Sequence, residues 1–127
     1  MLNYGYTVLR AATARAVVAS GLHPSIGLHH SHDNNAMRLV DDLMEPFRPI
    51  IDLAVWQLLA NGVSTIHADS KRALIQSLYL DLQTDSGKTP VLVAIQRLAT
   101  SLAQMLLKER LSLELPSSWH SPNSVDK

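Results

Sequence analysis

The sequence predicts an all-α fold, a bundle of about five helices. Three observations carry this. Apolar residues recur at three- and four-residue steps through most of the chain. Gly21, Pro24, Pro46, Gly62, Gly87 and Pro90 fall at the ends of those runs. No two alternating runs suggest a convincing strand pair, and no internal repeat is visible.

The first helix carries Leu2, Tyr6, Leu9, Thr13, Ala16 and Val17 on one stripe, with Arg10 and Arg15 off it. Its alanines favour helix. Gly21 marks the stop and Pro24 reinforces it. A loop then runs to about Asp33, where Asp33 or Asn34 can cap a second helix from about Asn35 to Met44. Pro46 and Pro49 predict that this helix ends or kinks near Glu45 and that another begins near Pro46. That third helix carries Ile50, Leu53, Ala54, Leu58 and Leu59 and stops at Gly62. A fourth, capped by Asp69 or Ser70, reaches about Gln83 with Leu74, Leu78 and Leu82 on one face. Asp85 to Lys88 reads as a turn, and Thr89–Pro90 opens the last helix. Its stripe is Val91, Leu92, Ile95, Leu98, Leu102, Met105 and Leu106. The helical domain is expected over residues 1–111 and a flexible tail over 112–127.

Composition narrows the class. A chain of 127 residues suggests one domain or a piece of one, and 46% hydrophobic content supports a core. Eleven basic residues balance eleven acidic ones, so net charge gives no bulk case for nucleic acid. The absence of cysteine excludes disulfides and thiolate metal sites. The N-terminus lacks the pattern of a signal peptide, and no apolar run is long enough to span a membrane. A soluble, cytoplasmic protein without membrane association is the expectation.

The chemistry-bearing residues concentrate between Gly21 and Pro49. His29, His30 and His32 share a polar turn, and neutral imidazole ligates divalent metals. Asp42 and Glu45 lie one helical turn apart, and Asp41 and Glu45 are also compatible at i and i+4. One histidine with carboxylates suits Mg2+ or Mn2+ in phosphodiester chemistry. Spacing alone leaves this reading open beside that of a solvated loop, and His30 with His32 leaves zinc open as well. Arg48 can pair with Glu45 or touch a phosphate. Arg10, Arg15 and Arg38 can form a DNA-facing patch or solvated helix faces. Asn3, Tyr4 and Tyr6 read as surface and core residues of the first helix. Ser86–Thr89 looks like a phosphate-loop ending but lacks the earlier glycine and a preceding strand. No nucleophile-elbow motif is present.

Three blocks carry a family resemblance: LNYGY (Leu2 to Tyr6), GLHPSIGLHH (Gly21 to His30) and DDLMEPFRPIID (Asp41 to Asp52). In that order and spacing the chain resembles the C-terminal helical domain of the CRISPR-associated integrase, the spacer-acquisition nuclease, in wording similar to its type II form. The resemblance covers Leu2 to about Arg110. It implies metal-dependent transesterification, in which a DNA 3′-hydroxyl attacks a phosphodiester of the CRISPR repeat. It implies a homodimer acting with the small Cas-two protein on prespacer and repeat DNA. It places metal ligands on His30, with His29 as the register alternative, and on Glu45, with Asp42 in support. Arg10, Arg38 and Arg48 become candidate phosphate contacts. The family's first ligating glutamate precedes the LNYGY block, and its N-terminal β-domain lies further upstream. Neither has a counterpart in these 127 residues. The chain is therefore expected to be a truncated form, to expose apolar surface that favours self-association, and to integrate little DNA alone. A non-catalytic helical module for DNA or protein interaction is the alternative.

Overall fold

The computed structural model describes residues 1–22, 37–85 and 87–106. Five α-helices order these residues: α1 (Leu2–Ala19), α2 (Arg38–Met44), α3 (Arg48–Ala60), α4 (Ala68–Gln76) and α5 (Val91–Leu106). Single 3-10 turns follow α2 (Glu45–Phe47) and α4 (Ser77–Tyr79). A two-stranded hairpin, β1 (Asp81–Thr84) and β2 (Gly87–Pro90), leads into α5.

The glycine stops act as expected. Gly21 has φ +89°, and behind it the Leu22 and Gly21 amides donate to Val17 and Val18 carbonyls at 3.1 and 3.0 Å. Gly62 has φ +84° and repeats the arrangement, with Val63 donating to Leu58 and Gly62 to Leu59. Both are six-to-one caps that satisfy carbonyls left over at a helix end. The Pro46 break also forms: α2 ends at Met44, and α3 restarts at Arg48 with Pro49 in its first turn.

Helix α1 is the hub and packs against α2, α3, α4 and α5. Leu9 and Val17 of α1 meet Leu39 and Val40 of α2, Phe47, Ile51 of α3, Leu74 of α4, and Ile95, Leu98 and Leu102 of α5 in one buried core. Gly5 lets α3 approach closely, because a Cβ placed there would lie 2.5 Å from Ile51 Cγ2.

Three details depart from the sequence reading. In α3 the buried face is Ile50, Ile51 and Val55, while Leu53 and Leu59 are more than half exposed. The core face is set by packing on the neighbouring elements, Gly5 against Ile51 among them, which periodicity along α3 alone does not reveal. Helix α4 begins after His67, and neither Asp69 nor Ser70 is its first cap. His67 Nδ1 accepts from the Asp69 amide at 3.2 Å, and Ser70 Oγ accepts from the His67 amide at 2.9 Å. This reciprocal box satisfies two amides at once. The helix also stops at Gln76 instead of continuing to about Gln83, and Leu82 lies on β1. The hairpin pairs Asp81 with Pro90 and Thr84 with Gly87. Thr84 and Thr89 Oγ1 meet at 3.1 Å in its buried side, and Arg97 Nη1 donates to Thr89 Oγ1 at 3.2 Å. The expected caps at Asp33 and Asn34 and the tail at 112–127 lie outside the described residues.

Candidate functional site

The break between α2 and α3 faces the first turns of α1. Between these three elements lies a recess of about 350 Å³, lined by Asn3, Tyr6, Thr7, Arg10, Asp41, Met44 and Arg48. A larger recess of about 450 Å³ sits between α3, α4 and β1. Its lining is mainly apolar, and Asp81 is its one ionisable residue, so it offers little chemistry.

Sequence reasoning singled out Glu45 and Arg48, and the structure joins them. Arg48 Nε lies 3.2 Å from Glu45 Oε2, an ion pair whose direction is not that of an aligned hydrogen bond. The Glu45 side chain stays 60% exposed. Asp42 precedes it by one turn, near the end of α2. Among the described residues Asp42 Oδ2 is shielded from solvent and has no hydrogen-bond partner. A shielded carboxylate oxygen left unsatisfied is costly, so a donor or cation there would be favoured.

Asp41, the other acid offered as a companion to Glu45, has a different role. It takes Arg10 in a two-pronged pair, Nε to Oδ1 at 2.8 Å and Nη2 to Oδ2 at 3.2 Å. The fork of a guanidinium matches a carboxylate in this geometry. The pair ties α1 to α2 across the rim of the recess. Arg38 is half-buried at the start of α2. Arg15 is exposed on α1. His29, His30 and His32 lie outside the described residues. Among the described residues no three His, Asp or Glu side chains converge as a metal cluster.

Two residues were missed as members of the site. The Tyr6 hydroxyl donates to Asp52 Oδ1 of α3, and the Arg48 guanidinium carbon lies 5.0 Å from the Tyr6 ring centroid. The Asp52 hydrogen bond, above all, raises the Tyr6 pKa from its ordinary value; partial burial and the Asp52 charge add to it, and Arg48 opposes it. On the neighbouring turn Lys71 Nζ of α4 lies 5.5 Å from the Tyr4 ring. Tyr6 and Asp52 are separated by 46 positions, so only the α1–α3 packing brings them together.

The sequence matches one family across most of the chain. The family model for CRISPR associated protein Cas1 matches residues 1–96, a span that includes the α2–α3 break and the whole recess. The chain belongs to the Cas1 family. A CRISPR-associated endonuclease Cas1 from Neisseria meningitidis is 36% identical over 118 residues, covering 91% of this chain and 39% of that protein. A Cas1 endonuclease from Pyrobaculum aerophilum is 33% identical over 110 residues, covering 83% of this chain and 36% of that protein. Among solved structures, a casposase bound to integration product superposes with a TM-score of 0.79 at 25% identity, over 95% of this chain and 40% of that one. The chain thus spans about two fifths of the length of these relatives. The casposase likeness bears out the mostly helical fold; the β1–β2 hairpin corrects the expectation of no strand pair. Among the described residues no helix is long and apolar enough to cross a membrane.

Proposed function

We propose that this chain supplies part of the metal and DNA site of a CRISPR-adaptation integrase. On this reading His30 and Glu45 hold Mg2+ or Mn2+, and Asp42 supports them. The observation that carries the reading is the Cas1 family match across residues 1–96, which spans all three residues and the arginines around them. The donor chemistry fits. Carboxylate oxygens suit a hard divalent cation, and Asp42 offers a shielded oxygen with no partner among the described residues. When bound, such an ion polarises a phosphoryl oxygen and stabilises the leaving oxygen of a phosphodiester.

The chain's own residues would do the rest. Glu45 presents an exposed side chain beside the recess that Arg10, Asp41 and Arg48 line, and Arg48 holds one of its oxygens. Arg10, Arg38 and Arg48 would meet DNA phosphates, which fix the position of a duplex without reading its sequence. On this reading the further glutamate ligand that the family resemblance implies is supplied by another segment. Prespacer and repeat DNA, the Cas-two protein and a second copy of the whole enzyme are the partners of this reading. That the casposase neighbour is bound to an integration product supports a DNA-handling role.

The test is manganese-dependent nicking of branched DNA by this chain with an upstream Cas1 segment supplied in trans. His30→Ala and Glu45→Gln should each abolish nicking that the intact pair performs. Calorimetry that detects no manganese binding, together with no change in His30→Ala, would instead favour a non-catalytic helical module. The pairing of Arg10 with Asp41 and of Arg48 with Glu45 is the observation on that side, because paired cations are less available to DNA.

A further inference from the structure

Arg48 and Asp52 are four residues apart on α3, the spacing at which opposite charges on a helix meet. They form no ion pair in the structure, whose described residues place the Asp52 carboxylate on the Tyr6 hydroxyl instead. The Tyr6 ring lies beside the Arg48 guanidinium, and Arg48 Nε reaches back to Glu45. A basic residue N-terminal to its acid is the weaker orientation of an i, i+4 pair. One hydroxyl from α1 is therefore enough to tip the choice.

We infer that Tyr6 is a positioning residue: its hydroxyl occupies Asp52 and its ring shelves Arg48, so that Arg48 stays on Glu45. The guanidinium then holds one Glu45 oxygen and leaves the other to act as a ligand. Partners of this kind orient ligating carboxylates. The part that concerns metal rests on the function proposed above, whereas the partner choice of Arg48 does not. Asn3, Thr7 and Met44 line the same recess and carry no charge, and Arg10 is engaged by Asp41, so Asp52 and Glu45 are the acids competing for Arg48.

The substitution that separates the effects is Tyr6→Phe, which keeps the ring and removes the donor. Freed from the hydroxyl, Asp52 should draw Arg48 away from Glu45. In the 127-residue chain the Arg48 Nε–Hε resonance should leave its wild-type position, losing the Tyr6 ring-current shift. Tyr6→Phe with Asp52→Asn should bring it back, because the competitor has lost its charge. Asp52→Asn alone should leave it in place, and this variant tests the idea even if Tyr6→Phe does not fold. Titration with Mn2+ alone, followed by broadening of the Glu45 amide, should show affinity falling on the order of tenfold in Tyr6→Phe and returning in the double variant. An Arg48 resonance unmoved by Tyr6→Phe, not restored by the double variant, or displaced by Asp52→Asn overturns the inference. So does tighter Mn2+ binding in Tyr6→Phe, which would make Arg48 a competitor of the ion. Failure of the wild type to bind Mn2+ removes the metal reading while the resonance still decides the partner choice.

Discussion

Gly5 and Ile51 are in such close contact that a Cβ on Gly5 would lie 2.5 Å from Ile51 Cγ2. This limits how closely α1 and α3 approach each other at that point. Gly5→Ala adds helix propensity worth about 1 kcal/mol. It also forces a methyl into a packed core, which costs about 1–3 kcal/mol. The overlap at 2.5 Å decides for the second effect, so urea denaturation should show a net loss of stability. Ile51→Ala removes the obstructing methyl, at its own cost of about 2–5 kcal/mol. In that background the Gly5→Ala penalty should shrink. Equal penalties in both backgrounds would mean that the two residues do not constrain each other.

Tyr6 gives the same helix contact a dependence on pH. Its pKa is raised, first by donation to Asp52, so its protonated form is favoured in the folded chain. The stability it contributes is fully present below the ordinary tyrosine value of about 10. It is lost as pH rises from there through the higher folded value. An ultraviolet titration should therefore show one tyrosine ionising late. Tyr6→Phe should abolish that late phase and flatten the fall in stability above about pH 10. A late phase that survives the substitution would assign it elsewhere.

What the sequence made legible follows the range of the forces involved. The stops at Gly21 and Gly62 and the break at Pro46 depend on a few adjacent residues, and each appears where local chemistry requires it. The hairpin was hidden because Leu82 continues the four-residue spacing of Leu74 and Leu78, and its strands are only four residues long. In α3 both Ile50, Ile51, Val55 and Leu53, Trp56, Leu59 are apolar sets. Packing on the rest of the bundle, with Gly5 against Ile51 on the α1 side, selects the first as the core face. For the site, Glu45 and Arg48 were legible as neighbours in sequence. The Tyr6–Asp52 contact and the preference of Arg10 for Asp41 required the assembled bundle.

The cap of α4 makes a local prediction. Ser70 is buried, and its Oγ accepts from the His67 amide while lying 3.1 Å from the Thr65 carbonyl. Ser70→Ala removes the hydroxyl from a shielded helix start and should cost about 1 kcal/mol, measured by thermal or urea unfolding. Ser70→Thr retains the oxygen but adds a methyl at a buried position, so it should recover only part of the loss. An Ala variant as stable as wild type would show that water replaces the cap.

Arg10 links stability to the proposed DNA role. Its two contacts to Asp41 join α1 to α2 with both side chains partly exposed, so Arg10→Ala should cost only about 1 kcal/mol. The same pairing keeps its charge from a phosphate. Asp41→Asn weakens that hold while preserving shape, so nonspecific duplex binding should tighten. Each additional phosphate neutralised steepens the salt dependence of B-DNA affinity by about 0.9 in log–log slope. A titration series across salt concentrations should thus show a slope steeper by about 1 in Asp41→Asn, and Arg10→Ala in that background should remove the gain. If the slope of Asp41→Asn matches that of the wild type, Arg10 is a brace between two helices and the phosphate contacts lie on other arginines.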